Sequence, residues 1–307
     1  MISFSAPGNL MLMGEHAILH GQPAIALAVG NRLSVSLIPR GDETVTIESD
    51  LGHYQSTLSE LAEDSTFSFM IAAIRLSRSQ LKLGFDLKVT SEFSDQVGLG
   101  SSAAVTASTV ACLLSFCEEP VSKEQVFKRA LEAVHKVQSG RGSGTDLAAS
   151  IWGGLIAYEM KGAKVRPLTG TPDIDLFYVG YKMKTPEVIS LVNHRAEADP
   201  TIYASIYQLM GQVTRAAEQA IQSADWNRVG QLMDQYSGLM DALGVCDANL
   251  ADLQFRMRQQ SGVLGAKISG SGLGDSVISL GLTNPSEIPY QHLPVSIHSE
   301  GLKQERV

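Results

Sequence analysis

Residues 98–104, which are rich in glycine and serine, lead directly into an apolar segment that ends near Cys117. The apolar segment carries four hydroxyl side chains and is too short to span a bilayer, so we interpret it as a buried helix. A helix N-terminus beside small residues offers free N–H groups and the positive end of the helix dipole to an anion. This junction predicts a phosphate site. An ordinary turn with a serine N-cap is the alternative for this motif alone.

Two further glycine-rich stretches lie near the ends of the chain. Residues 267–275 alternate glycine with small residues before an apolar strand, which allows positive φ angles and bare backbone beside a ligand. They predict a second wall of the phosphate site, with a flexible hairpin turn as the alternative. Residues 6–10 lead to Glu15 and His16, an acid and an imidazole that suit a polar substrate or serve a structural role. Neither a Walker A motif nor a GxGxxG after a strand is present, so the nucleotide class stays open.

Composition excludes several classes of protein. The chain has 307 residues, 44% of them hydrophobic and 18% charged, which is typical of a globular protein with one large domain or roughly two. A formal net charge of -8 argues against nucleic acid or an anionic membrane as the main partner. Three cysteines without a CxxC pair argue against a disulfide framework and structural zinc. With no signal peptide and no long apolar run, we expect a soluble, cytoplasmic protein.

The first half of the chain alternates between two hydrophobic periods. Apolar residues alternate with polar ones at 33–37, 45–47 and 85–89, which predicts strands. Apolar residues recur at helical spacing over 67–74 and 122–137, which predicts amphipathic helices. The sequence therefore predicts that strands and helices alternate along the first half of the chain.

The second half is mainly helical. Apolar stripes at 206–220 and 226–240 predict two long neighbouring helices, and a third helix is predicted at 247–260. Apolar runs between glycines at 262–280 then predict strands. We expect an α+β enzyme whose halves depend on each other, with a weak boundary near 181–200.

The three glycine-rich stretches, in this order and at these distances, resemble the three signature motifs of the GHMP kinases. The residues at 14–17, Gly-Glu-His-Ala, followed by His20 and Gly21, are most similar to the mevalonate kinases within that superfamily. Residues 243–245 and 265–267 are also similar to mevalonate kinases at matching positions. The resemblance covers nearly the whole chain.

This resemblance implies a fold and a reaction. The fold is the α+β GHMP kinase fold, two-lobed with mixed sheets and packed helices. Residues 1–180 would form an N-terminal ATP-binding domain and residues 181–307 a C-terminal α+β domain. The reaction would transfer the γ-phosphoryl group of ATP, with Mg²⁺, to the primary hydroxyl of mevalonate. The family implies a small-molecule substrate and a homodimer. It implies neither nucleic acid nor a membrane as a partner.

The resemblance also assigns site residues. ATP would bind at seven positions: Gly98, Leu99, Gly100, Ser101, Ser102, Gly270 and Gly272. Ser102 and Glu132 match the magnesium ligands, and a hydroxyl and a carboxylate suit a hard cation. Asp146 matches the catalytic aspartate that accepts the hydroxyl proton, although a helix N-cap before 147–151 is the alternative. The substrate-binding positions would be Asn9, Glu15, His16 and Thr185.

Two departures from the pattern keep other functions open. Asn9 stands where many mevalonate kinases carry a lysine, and an amide donates a hydrogen bond without bringing a charge. Three lysines are candidates for that charge: Lys182, Lys184 and Lys267. The residues at 137–146 instead resemble phosphomevalonate kinases. Arg141 would then contact a substrate phosphate, with a solvated loop arginine as the alternative. A phosphomevalonate kinase is therefore the first alternative, followed by a GHMP-fold decarboxylase and a ligand sensor without enzymatic activity.

Overall fold

The computed structural model describes residues 1–92 and 98–306, and its larger sheet has eight strands. These are β1 Ile2–Met13, β2 Ala24–Pro39, β3 Thr44–Ser49, β4 Gly52–Thr57, β5 Phe85–Ser91, β6 Leu155–Glu159, β7 Lys164–Leu168 and β12 Lys303–Gln304. The strand order is β12-β1-β2-β5-β3-β4. Strand β2 is long enough to pair with β5 through residues 33–39 and with β6 through residues 24–27. Only β3 and β5 pair in parallel among the described strands.

Four helices accompany the larger sheet: α1 Ser68–Ser77, α2 Ser101–Phe116, α3 Lys123–Val137 and α4 Thr145–Trp152. Helix α2 packs against β1 and β2, and most of its residues are buried. Two of its buried hydroxyl groups bond to backbone carbonyls: Thr106 Oγ1 donates to Ser102 O and Ser108 Oγ donates to Leu33 O. A third, Thr109 Oγ1, is buried with no partner among the described residues. The apolar segment is therefore a buried helix, as predicted.

The second sheet has four antiparallel strands in the order β11-β8-β10-β9. They are β8 Ile174–Lys182, β9 Gly265–Ser269, β10 Gly274–Leu280 and β11 Gln291–His292. Its helices are α5 Thr185–Ala198, α6 Pro200–Gln222, α7 Trp226–Ala242 and α8 Ala248–Arg258. Helices α7 and α8 pack on β9, and α6 packs on α7. Among the residues described, no helix is both long enough and apolar enough to cross a membrane.

The two hydrophobic cores lie on opposite faces of the larger sheet. Ala24 and Ala26 of β2 belong to the core beneath α2, whereas Ile25 and Leu27 belong to the core that α7 and the second sheet share. Successive strand residues point to opposite faces, so one strand serves both cores. The predicted α+β architecture with two lobes, mixed sheets and packed helices is confirmed.

One helix was not predicted. Helix α5 lies within 181–200, where the sequence suggested a boundary. The buried residues of α5 are Val188 and Val192 alone. Its apolar stripe is therefore too sparse to be recognised from periodicity. The division of the chain at residue 180 stays a prediction.

Candidate active site

A cavity of about 760 Å³ brings all three glycine-rich stretches together. The residues of interest that line it are Asn9, Glu15, His16, Gly98, Gly100, Ser101, Ser102, Arg141, Asp146, Lys182, Thr185, Gly270, Ser271 and Asp275. They come from β1 and the turn after it, the loop before α2 and its first turn, the loop before α4 and its first turn, the end of β8, the start of α5, and the loop between β9 and β10 with the start of β10. Most of the predicted site residues therefore share one space.

The N-terminus of α2 opens into this cavity. Its N-cap is Gly100, in the left-handed conformation with φ 70°, and no side chain caps the helix. The alternative of a serine N-cap is therefore wrong, because Ser101 and Ser102 already lie inside the helix. The backbone N–H groups of Ser101 and Ser102 make no hydrogen bond to the part of the chain that the structure describes, so they can bind a phosphate. Leu99 is buried outside the cavity lining, and its carbonyl accepts a hydrogen bond of 2.9 Å from the backbone N–H of Asn9.

The side chain of Asn9 fixes against α4 the loop at residues 98–100, the phosphate loop, which the sequence predicts to bind phosphate. Its Nδ2 donates to Ser150 Oγ at 2.9 Å, and a Cβ added to Gly100 would lie 2.1 Å from the same Nδ2. Any side chain at position 100 would collide with the amide. Asn9 is thus part of the packing that shapes the loop.

Replacing Gly100 with alanine should weaken nucleotide binding because the new methyl group must displace Asn9. Gly21→Ala is the matched control, since Gly21 also has a positive φ of 77° but has no atom near its missing Cβ. Both variants should pay the left-handed strain of roughly 1–2 kcal/mol. Gly100→Ala should lose about 1–3 kcal/mol more through overpacking. Equal loss of stability and of ATP affinity in the two variants, measured by urea denaturation and calorimetry, would contradict this account.

Glu15 and Lys267 form a buried ion pair that ties the first glycine-rich stretch to the third. Lys267 Nζ lies 2.5 Å from Glu15 Oε1, and the two side chains are 0% and 3% exposed. Burial raises the pKa of Glu15 and lowers that of Lys267, and each partner opposes the shift of the other. Tyr236 closes the turn, because its hydroxyl accepts from Gly14 N and donates to Glu15 O, both at 3.0 Å.

His16 makes a second link between the same two stretches. Its Nε2 lies 2.9 Å from Ser271 O, and its backbone has a φ of 58°. Burial lowers the pKa of the imidazole. A neutral ring that donates from Nε2 keeps Nδ1 as an acceptor. Glu15 Oε2 and Ser271 Oγ are buried beside the cavity with no hydrogen-bond partner among the residues described, so their capacity for hydrogen bonding is unused.

Asp146 lies in the first turn of α4 and is accessible from the cavity. The N-cap of α4 is Gly144, with φ 82°, so the alternative of Asp146 as the N-cap is wrong. No donor in residues 1–92 or 98–306 bonds its carboxylate. Desolvation by the surrounding protein raises the pKa of Asp146, the Lys182 ammonium opposes this, and the Asp275 carboxylate adds to it. The carboxylate is free to accept a proton.

Asp275 is a site residue that the sequence interpretation missed. Its Oδ2 lies 2.7 Å from Lys182 Nζ, and its side chain is 4% exposed. It follows the alternating glycines with a positive φ of 77°, which is rare for a residue other than glycine. The signal available in the sequence was that Asp275 is the single carboxylate in the glycine-rich stretch at 267–275.

Three predicted residues lie outside the cavity lining: Leu99, Glu132 and Gly272. Glu132 is exposed on α3, whose buried face includes Ala130 and Ala133, so helical spacing directs position 132 away from the core. A Cβ at Gly272 would lie 2.4 Å from Val245 O, so this glycine permits close backbone packing. Glu132 therefore does not line the cavity with Ser102, and its role as a magnesium ligand stays a prediction. No group of three or more metal-binding side chains occurs among the described residues.

Comparison with known proteins identifies the class of protein that has this fold. The family model for the GHMP kinases N terminal domain matches residues 68–154, and the model for the GHMP kinases C terminal domain matches residues 217–288. The fold is thus that of a GHMP kinase, a class of kinases that use ATP.

Two curated relatives are mevalonate kinases. That of Aeropyrum pernix is 32% identical over 98% of this chain and 97% of its own length. That of Pyrococcus furiosus is 31% identical over 99% of this chain and 98% of its own length. The chain therefore belongs to the mevalonate kinase family of the GHMP kinases.

Solved structures share the fold at lower identity. The Lin0012 protein from Listeria innocua has a TM-score of 0.86 at 22% identity, covering 99% of this chain and 100% of its own. Methanococcus jannaschii mevalonate kinase has a TM-score of 0.78 at 20% identity, covering 96% and 98%. Streptococcus pneumoniae phosphomevalonate kinase, in complex with phosphomevalonate and AMPPNP, reaches 0.79 at 20% identity, covering 93% and 94%. The fold alone does not separate the two kinds of kinase.

Proposed function

We propose that the protein transfers the γ-phosphoryl group of ATP to the primary hydroxyl of mevalonate. The observation that carries this proposal is that Asp146 opens into the same cavity as the uncapped N-terminus of α2 and the turn at Glu15 and His16. A base, a phosphate-binding loop and polar groups for an acceptor share one space. The likeness to mevalonate kinases over the full length supports mevalonate as the acceptor.

In the proposed reaction this chain supplies positioning and charge. Backbone N–H groups at 98–102, with Gly270 in the facing stretch, hold the phosphates of ATP. Gly272, which was predicted to bind ATP as well, lies outside the cavity lining and would act only through its close packing against Val245. Asp146 orients the acceptor hydroxyl and takes its proton as the oxygen bonds to the γ-phosphorus. The bond from that phosphorus to the β–γ bridging oxygen breaks, and ADP leaves with the electron pair.

The proposed reaction includes Mg²⁺, with Ser102 as its protein ligand. The Ser102 hydroxyl lines the cavity at the start of α2, where a cation bound to phosphates would reach it. Mg²⁺ is typically held by one or two protein ligands, substrate phosphates and waters, so one hydroxyl fits this chemistry. When bound, the ion neutralises phosphate charge. The exposed position of Glu132 does not support its assignment as the second ligand.

The acceptor would lie against the Glu15 end of the cavity. Glu15 Oε2 and Ser271 Oγ have no partner among the described residues, and His16 lines the same region. Thr185 adds a hydroxyl from the start of α5. Asn9, which is bound to Ser150, would contribute through its packing against the loop. A cytoplasmic location and a homodimer are further proposals that rest on the family alone.

A phosphomevalonate kinase is the second candidate because Arg141 lines the cavity. A guanidinium at this point can bind the phosphate of a phosphorylated acceptor. The side chain makes no ion pair with any described residue, so it is available for such a contact.

The test is turnover with ATP and Mg²⁺ on mevalonate, phosphomevalonate and diphosphomevalonate. We expect the highest kcat/KM for mevalonate, by about tenfold or more, as measured from ADP release and the phosphorylated product. A higher value for phosphomevalonate would overturn the proposal in favour of the second candidate. Release of carbon dioxide from diphosphomevalonate would indicate a decarboxylase. ATP binding without any turnover would indicate a sensor.

A further inference from the structure

The cavity needs a positive charge that Asn9 does not supply. Phosphates carry several negative charges, and their transfer requires neutralisation of the charge that develops. Among the described residues that line the cavity, the lysine and arginine side chains are Lys182 and Arg141. Of these two, Lys182 is the one in electrostatic contact with Asp146.

Lys182 lies directly beside the phosphate loop. A Cβ added to Gly98 would lie 3.4 Å from Lys182 Nζ and 2.4 Å from Asp275 Oδ1. Asp275 also reaches the third glycine-rich stretch, since its Oδ2 would lie 2.6 Å from a Cβ on Gly270. The ion pair thus stands between the two glycine walls of the phosphate site.

The other two lysines named from the sequence are excluded by their positions. Lys267 is fully buried and paired with Glu15. Lys184 is exposed at the N-cap of α5 and does not line the cavity. The side chain of Lys182 is 32% exposed. One N–H of its ammonium group can therefore bond to Asp275 while the other two face the cavity.

We propose that Lys182 is a catalytic residue that binds the phosphoryl group during transfer, and that Asp275 is the residue that positions it. The lysine keeps its protons throughout, and the hydroxyl proton still goes to Asp146. The positive charge comes from the end of β8 instead of from position 9 in β1. This inference rests on the proposed kinase function.

The backbone of Asp275 supports a positioning role. Asp275 and Leu273 have φ angles of 77° and 54°, conformations that cost free energy for residues other than glycine. A glycine at position 275 would relieve that strain but would leave Lys182 without its partner. The strained backbone at Asp275 is explained if its carboxylate holds the Lys182 ammonium beside the phosphates.

Lys182→Gln tests the proposal, with Lys184→Gln as the matched control on the same segment. We expect kcat to fall by about 100- to 1,000-fold in Lys182→Gln, as for loss of one donor to the transition state, and to stay within about twofold in the control. Lys182→Arg should keep part of the rate because it retains the charge. The acid limb of the kcat profile should move to higher pH in Lys182→Gln, because the lysine lowers the pKa of Asp146.

A double variant separates catalysis from folding. Lys182→Gln strands the Asp275 carboxylate without its partner, so the single variant is expected to be less stable. Lys182→Gln with Asp275→Asn removes the stranded charge. The double variant should regain thermal stability but not kcat. Recovery of kcat together with stability would overturn the proposal, because it would assign Lys182 a structural role.

Nucleotide binding distinguishes failure of this proposal from failure of the proposed function. Affinities for AMPPNP and ADP, measured by calorimetry without any acceptor, do not depend on which substrate the enzyme uses. Lys182→Gln should lose about 10- to 100-fold more affinity for AMPPNP than for ADP, the range for a charge-assisted hydrogen bond to the γ-phosphate. Equal losses for both nucleotides would overturn the role of Lys182 even if mevalonate is phosphorylated.

Discussion

Replacing Asp146 with asparagine should lower kcat for mevalonate by a factor of about 100 to 10,000, while ATP affinity stays near that of the parent. The amide keeps the size and polarity of the side chain but cannot accept the hydroxyl proton. The thermal midpoint should not fall, because Gly144 and not Asp146 caps α4, and the carboxylate accepts no hydrogen bond from the described residues. Steady-state kinetics and calorimetry measure both effects.

The same base predicts a pH dependence. Desolvation raises the pKa of Asp146, so its ionised form is lost at a higher pH than for an ordinary aspartate. Activity requires the ionised form, and kcat should therefore decline as the pH falls through the raised pKa. Asp199→Asn, on an exposed aspartate outside the cavity lining, is the control and should keep the parent profile. An Asp146→Asn enzyme with near-parent kcat would remove the base from the mechanism.

Replacing Lys267 with methionine should destabilise the protein by about 3–5 kcal/mol, the usual effect of removing one partner from a buried ion pair. The loss leaves the Glu15 carboxylate, only 3% exposed, without its counter-charge. Methionine fills much of the same volume, so a cavity contributes little. Urea denaturation measures the change in the free energy of unfolding.

Two further variants test the cause of that loss. Glu15→Gln combined with Lys267→Met removes both charges, so it should be clearly more stable than Lys267→Met alone. Lys303→Met breaks an exposed pair with Glu300 at 2.9 Å and should leave the urea midpoint almost unchanged. A double variant as unstable as the single one would show that the lysine acts through packing and not through charge.

Elements with strong local patterns were predictable from the sequence. Helices α2, α6 and α7 carry long apolar runs or stripes, and strand β2 carries a clear alternation, because both periods follow from the geometry of neighbouring residues. Helix α5 was missed because two buried valines do not define a stripe.

Much of the site was also predictable, through the resemblance of the glycine-rich stretches. Gly98, Gly100 and Ser102 lie in a glycine loop and a helix start, which are encoded locally, and they line one cavity together with Asp146. The face on which a side chain lies was less predictable. Glu132 is close to the site along the chain, yet the rotation of α3 leaves it exposed.

Pairing between distant residues was decided by the tertiary structure. The sequence by itself determined the motifs, the periodic elements and the family, since these depend on residues near one another in the chain. Three lysines were equivalent in the sequence, but packing joined Lys267 to Glu15 across 252 positions and brought Lys182 to Asp275 at the phosphate loop. Such contacts depend on how two sheets and their helices pack, because burial and charge act through space and not along the chain.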